Sequence, residues 1–328
     1  MAAIVRGFLA MQARAAADQR RPLARATHAK GVCARGTFEV LDVRAGRDRR
    51  VADRLAVGLY ALPATYPAIV RFANSAQQMR SDWVPDVRSL SFSVDLTSRG
   101  GPPAPACQDY ALQSAATLPF DDVRAFVVFG SVMAAANDVI AASALPFRDQ
   151  LVFARTKLQI LQQQRQPVKP YQQLRYWSNV PFRHGDEDIV KYSLLPWATN
   201  TARPLRRGDP NALGAELARH LIDDHPASTF DFALQFMDVR SMTHQGRRRD
   251  AAFWIDHPSV EWPERQAPFH VVARLRLLPS PPLGPATVER SYIDVTEHSL
   301  PDHRPVGAVN RARWQVQVAS RRARQAEE

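Results

Sequence analysis

Arg25-Ala-Thr-His28-Ala-Lys30-Gly31-Val-Cys33-Ala-Arg35-Gly36-Thr-Phe38-Glu39-Val40 is the stretch on which the reading of this chain turns. A histidine stands between an arginine and a small-residue turn, and an apolar, strand-like run follows. Histidine is the one side chain whose ordinary pKa lets it take and return a proton near neutrality. Gly31 and Gly36 let the backbone pass close to a flat or bulky group. Thr37 to Val43 reads as the first strand and ends in the charged turn Arg44 to Arg50. Val51 to Tyr60 reads as a short helix or a crossing loop. Pro67 to Phe72 reads as the next strand, and Leu90, Phe92 and Val94 alternate with Ser91, Ser93 and Asp95 as a half-buried strand requires. No helix of any length separates these strands. Parallel strands need long crossovers, so the pattern predicts an antiparallel sheet or barrel rather than a doubly wound α/β fold.

The chain has 328 residues and 45% hydrophobic content, enough for one large domain or two ordinary ones with a sizeable core. Lysine and arginine exceed aspartate and glutamate by 43 to 32, mostly through arginine. That excess suits nucleic acid, an acidic membrane surface, an anionic cofactor or simply a solvated surface. Zinc-finger spacing, an RNA-binding box and aromatics interleaved with basic residues are all missing, so no nucleic-acid partner is expected. Cys33 and Cys107 are too few for a disulfide framework and lack metal-site spacing, which points to a reducing, cytoplasmic compartment and to no metal-ligand cluster. No run of 18 apolar residues occurs, so no membrane span is expected. Residues 1–24 read as an N-terminal helical arm packed on the body, and 25–328 as a single barrel domain with a C-terminal helix.

Further along, Asp121 to Asn137 reads as a capped helix with Val123, Phe126, Val127 and Gly130 on one face. Phe147 to Gln166 is a second helix. Tyr176 to Gly185 and Val190 to Leu194 read as a strand pair around an acidic turn. Leu213, Leu217, Leu221 and Ile222 mark an amphipathic helix, and Phe230 to Phe236 and Phe269 to Leu278 two more strands.

The opening stretch resembles the distal motif of the haem catalases, R-x-x-H-A-K-G-x-x-x-x-G-x-F-E-V, through Arg25, His28, Ala29, Lys30, Gly31, Gly36, Phe38, Glu39 and Val40. Val70-Arg71-Phe72 and Asp86-Val-Arg88 resemble that family's segments on the second and third barrel strands. Tyr176-Trp-Ser-Asn-Val-Pro-Phe-Arg183 and Val190-Lys-Tyr-Ser193 resemble the small bacterial catalase-related subgroup more closely than full-length catalases. The resemblance covers roughly 25–324. It implies an α+β fold, an antiparallel eight-stranded β-barrel with surrounding helices. It also implies haem (heme b) as cofactor, with Arg25 and Arg71 on the propionates and Phe126 near the porphyrin edge, although Phe126 is equally suited to a core. His28 would shuttle the proton of a peroxide. Ser114, or Gln113 if the register slips by one, stands where the family has an asparagine. Peroxide disproportionation, or peroxide-dependent oxidation of a small organic substrate, would be the reaction, and a homo-oligomer is allowed.

His303-Arg-Pro-Val-Gly307-Ala-Val-Asn310-Arg-Ala-Arg313-Trp-Gln-Val-Gln317 resembles the subgroup's proximal motif, in which an arginine four residues before a tyrosine supports the phenolate that ligates iron. Arg313 is present; the tyrosine position is Gln317. A neutral carboxamide is a poor ferric ligand beside a phenolate. Three arrangements remain open: haem held through Arg25, Arg71 and Arg324 alone; a replacement ligand such as His298, His303 or a water on Gln317; or a non-catalytic catalase-fold protein without haem that binds a small ligand or partner.

Overall fold

The computed structural model describes residues 2–20, 25, 27–99, 105–135, 137–224, 228–284, 287 and 292–325. Helix α1 (Ala2–Gln19) precedes strand β1 (Gly31–Val40). Short helix α2 (Arg49–Leu55), capped by the Asp48 carboxylate, leads to β2 (Ala64–Asn74), β3 (Arg88–Asp95) and β4 (Cys107–Gln113). Helices α3 (Val123–Met133), α4 (Asp138–Ser143) and α5 (Phe147–Gln164) follow, then β5 (Tyr176–Trp177), β6 (Phe182–His184) and β7 (Asp188–Pro196). Helix α6 (Ala212–Arg219), β8 (Thr229–Phe236), the small ribbon β9 (Thr243–His244) and β10 (Arg247–Arg248), α7 (Ala251–Asp256), β11 (Phe269–Leu277) and the long α8 (Ala308–Gln325) complete the chain.

Strands β1, β2, β3, β4, β5, β7, β8 and β11 close into an antiparallel eight-stranded barrel. Closure depends on β5, which pairs with β4 at Gln113↔Trp177 and with β7 at Trp177↔Ser193. Strand β6 continues along β7 beyond β5, through Phe182↔Val190. The predicted α+β barrel is therefore present, and the helices pack outside it.

Alternation along each strand sends one set of side chains inward. Phe38, Phe92, Tyr110, Tyr192 and Phe232 are all essentially inaccessible to solvent. Their rings interlock, with Phe92 stacked on Tyr110 at 4.6 Å and Phe232 edge-on to Phe38 at 5.3 Å. The hydroxyls of Tyr60 and Tyr110 pair at 2.9 Å, so each satisfies the other inside this aromatic core. The barrel is thus a packed core, and any ligand space must lie outside its wall.

Two helix boundaries differ from the sequence expectation for a local reason. Asp122 caps α3 by accepting the Ala125 N–H at 2.8 Å, but the helix stops at Met133 because Asn137 caps α4 instead, accepting from Val139 and Ile140. Helix α5 turns Phe153 and Thr156 inward and leaves Phe147, Leu151, Leu158 and Leu161 exposed. Helix α1 lies on α3 and α8, burying Ile4, Phe8 and Met11 against Phe126, Ala312 and Val316. The crossing of α1 and α3 is close: a Cβ on Gly7 would stand 2.3 Å from the Gly130 carbonyl oxygen.

Candidate functional site

The outward-facing positions of β2 to β4 are small where the helices cover them. Across the register, Arg71 lies beside Ser91 and Ser91 beside Ala111, while Ala73 lies beside Ser89 and Ser89 beside Gln113. Large side chains here would let the helices pack directly on the wall. Small ones leave a cavity of about 310 Å³ between the barrel and α1, α3 and α8. Its lining includes the apolar Phe8, Met11, Phe120, Phe126 and Phe129. It also includes Arg25, Thr27, His28 and Arg71, together with Arg313, Gln317, Ser320 and Arg324 of α8. The α8 residues recur at three- to four-residue spacing, so one helix face presents them all. Seven of the eight residues singled out from sequence line this one space: Arg25, His28, Arg71, Phe126, Arg313, Gln317 and Arg324.

The histidine is held by its backbone. His28 has φ 59°, in the left-handed region that non-glycine residues seldom adopt. Its N–H donates to the Ser75 carbonyl at 3.2 Å, and its own carbonyl accepts from Arg71 Nη2 at 2.7 Å. Arg71 can reach it only because residue 31 is glycine: a Cβ there would lie 2.7 Å from Arg71 Nη2 and 2.8 Å from the Phe72 carbonyl oxygen. Thr27 Oγ1 sits 2.9 Å from His28 Nδ1. Burial lowers the imidazole pKa to about 3, and the guanidiniums of Arg71, Arg313 and Arg25 push the same way. The ring is therefore neutral at physiological pH. Arg313 is itself desolvated, its pKa lowered to about 10, and no carboxylate lines the cavity among the described residues.

A catalase-related peroxidase from Mycolicibacterium paratuberculosis (strain ATCC BAA-968 / K-10) is 30% identical over 229 residues, covering 66% of this chain and 66% of that protein. Among solved structures, a fungal catalase matches with a TM-score of 0.68 at 15% identity, over 95% of this chain and 61% of its own. Catalase A from Saccharomyces cerevisiae matches with a TM-score of 0.67 at 15% identity, over 95% of this chain and 63% of its own. The chain belongs to the haem-dependent catalase-like superfamily. No family model matches it. This catalase-like chain spans about two thirds of the length of the peroxidase and about three fifths of those catalases.

Other residues of the catalase-like chain fall differently from the sequence reading. Ser114 does not line the cavity: its Oγ accepts the Arg88 N–H at 3.0 Å, and its neighbour Gln113 faces the space instead. The cause is strand parity, because residue 114 shares the phase of the inward-pointing Tyr110 and Leu112. Asn179, in a left-handed turn with φ 62°, also lines the cavity and is anchored through Nδ2 on the Ala115 carbonyl. Its signal in the sequence was the Ser-Asn-Val-Pro turn, to which no role was attached. Neither His298 nor His303 reaches the space. His298 Nδ1 pairs with Asp109 at 2.9 Å, and His303 Nε2 accepts the Leu59 N–H at 3.0 Å. Tyr292 does line the cavity, but its hydroxyl donates to Asp294, and burial with that carboxylate raises its pKa, the opposite of what a phenolate ligand needs.

Lys30, within the same motif, has a structural task. Its ammonium pairs with the inaccessible Asp82 at 2.8 Å, and Asp82 also accepts from Asn74 Nδ2 and the Leu213 N–H. That network ties the loop before β1 to the start of α6.

Proposed function

We propose that the cavity is a haem b pocket used for peroxide disproportionation or peroxide-dependent oxidation of a small organic substrate. One observation carries this reading: Arg25, Arg71, Arg313, Arg324 and a neutral imidazole line one space, and among the described residues no carboxylate lines it. A cavity lined by four arginines attracts an anionic ligand, and guanidinium pairs with carboxylate through strong, often bidentate hydrogen bonds. A flat dicarboxylate such as a porphyrin would fit that chemistry, since the same lining offers Ser89, Ser91, Ala111, Phe8, Phe120 and Phe126 for its ring. Arg25, Arg71 and Arg324 would hold its carboxylates. The donor set offers the iron no anionic side chain, since Gln317 is a neutral amide and Tyr292 is kept protonated by Asp294.

When bound, haem supplies the iron-centred redox chemistry that peroxide conversion requires. The chain's own residues handle the proton. With Nδ1–H donated to Thr27 Oγ1, His28 Nε2 is free of a proton and can accept one from the nearer peroxide oxygen and return it to the farther one. A ring with its pKa near 3 holds that proton only briefly, so transfer between the two oxygens is favoured over storage. The carboxamides of Gln113 and Asn179 can donate hydrogen bonds to the peroxide, the part that the resemblance gives to position 114.

Hemin titration of the full chain, followed by Soret absorbance and then by peroxide consumption, tests the reading. A saturable shift that weakens in Arg71→Ala, together with peroxide loss above free hemin, is expected. A spectrum identical to free hemin at saturation overturns it. Gln317 favours a second reading, a ligand-binding protein without catalysis; saturable hemin binding with no peroxide loss is its signature.

A further inference from the structure

Strand β4 carries a second cluster on the same outer surface of the barrel, outside the cavity lining. Cys107 and Asp109 stand two residues apart, so both project from one face of the strand. The segment 294–298 folds over them. The Asp109 N–H donates to the His298 carbonyl at 2.8 Å, the His298 N–H to the Asp294 carbonyl at 2.9 Å, and the Asp294 N–H to Asp109 Oδ2 at 2.7 Å. This clamp brings the imidazole of His298 to the strand. One donor atom from each of Cys107, Asp109 and His298 then lies within 4.8 Å of the other two.

Asp109 supplies an independent sign of a ligand. Its side chain is fully inaccessible, and Oδ2 is engaged by His298 Nδ1 and the Asp294 N–H. Its other oxygen, Oδ1, is enclosed and takes no N–H or O–H donor among the described residues, the Cys107 thiol being the further hydrogen-bond partner of this carboxylate. Buried acceptors are nearly always satisfied, so an enclosed carboxylate oxygen beside a thiol and an imidazole calls for a cation. Cys107 and His298 each keep partial exposure, which gives an ion a way in, while Asp109 forms the back of the site.

We propose that Cys107, Asp109 and His298 form a binding site for a divalent transition-metal ion of the zinc class, with a fourth position open to water. The donor set selects the metal. A thiolate and an imidazole disfavour calcium and magnesium, whereas sulfur, nitrogen and carboxylate oxygen together suit tetrahedral zinc or cobalt(II). Metal–ligand bonds of about 2.0–2.3 Å place neighbouring donor atoms roughly 3.3–3.7 Å apart, so the imidazole and carboxylate, now in contact at 2.9 Å, need to part slightly, and no donor atom starts more than 4.8 Å from another. Binding displaces the thiol proton of Cys107 to solvent, the Nδ1 proton that joins His298 to Asp109 passes to solvent or, in the neutral ring, to Nε2, and thiolate plus carboxylate then balance the charge of the ion. The Asp294 N–H already orients Asp109, the kind of outer support that metal ligands require. Two residues before Asp294, Tyr292 lines the large cavity, so an ion here would also fix that part of its wall.

Cobalt(II) titration of the purified full chain after chelation is the test, read as near-ultraviolet thiolate-to-cobalt absorption. A band that saturates at one equivalent is expected. It should vanish in Cys107→Ser, persist in Cys33→Ser, and require at least about tenfold more cobalt in His298→Ala. Zinc added to the same protein should displace the band and raise the melting temperature. No band in the wild type, a band that survives Cys107→Ser, or one abolished by Cys33→Ser overturns the proposal. If Cys107→Ser does not fold, the half-exposed His298→Ala decides alone: unchanged cobalt affinity overturns the site.

Discussion

His28 is strained, desolvated and surrounded by guanidiniums, and each of these follows from one contact network through Gly31, Arg71 and Thr27. Its pKa near 3 lies below the ordinary 6.5, so between those values the unfolded chain takes up a proton that the folded chain refuses. Stability from this residue is therefore complete above pH 6.5 and is lost as pH falls toward 3. Acid unfolding of His28→Gln should show a shallower loss across that window, and a parallel loss in variant and wild type would refute the assignment. Position 317 is the complementary test. Gln317→Tyr places a phenol four residues from Arg313, whose charge favours the phenolate, and should tighten haem by about tenfold, equivalent to ~1.4 kcal/mol. Equal hemin affinity in both proteins would show that residue 317 does not face the iron. Much of this was legible: the motif from Arg25 to Val40 marked the histidine and its arginines. Its protonation state was not, because desolvation depends on α8 and β2 meeting over it. Between Ser114 and Gln113, both offered by the sequence, it is Gln113 that lines the cavity, and the alternation through Tyr110 and Leu112 already puts the two in opposite phases.

Helix α1 and helix α8 form much of the cavity wall, and neither has a position without the other elements. The contact of α1 with α3 is backbone on backbone at Gly7 and Gly130, where no side chain could fit without separating the helices. Gly7→Ala should cost about 1–3 kcal/mol by overpacking and lower the melting temperature. It should also weaken ligand binding, because Phe8 and Met11 would leave the cavity together. An unchanged melting temperature would show that α1 is not held as described. The amphipathic spacing on α1 announced a helix packed on the body but not its partner. In α8 the four-residue spacing of Arg313 and Gln317 announced a common face, the structure adds Ser320 and Arg324 to it, and the barrel supplies the opposing wall.

Outside the barrel wall, the segment that carries Trp262 covers a titratable group of β7. Lys191 on β7 is 5% exposed, its ammonium stands 4.8 Å from the Trp262 ring, and burial lowers its pKa to about 7 from 10.5. Between pH 7 and about 10.5 the unfolded chain binds the proton and the folded chain does not, so stability rises with pH over that window, by at most about 1.4 kcal/mol per unit. Lys191→Met should be more stable than the wild type at pH 7, with the gap closing toward pH 10; a gap that stays constant in chemical denaturation would contradict the burial. Strand phase, turn residues and ordered motifs are local properties, carried by neighbouring residues along the chain, and they were enough to specify an antiparallel barrel, its family and the arginines and histidine of the site. Closure of the barrel through two residues of β5, the cavity left by small side chains on β2 to β4, and the meeting of Cys107 and Asp109 with His298 belong to the folded state alone. They join segments as far apart as Cys107 and His298, and at that separation only packing, not periodicity, fixes which side chains face one another.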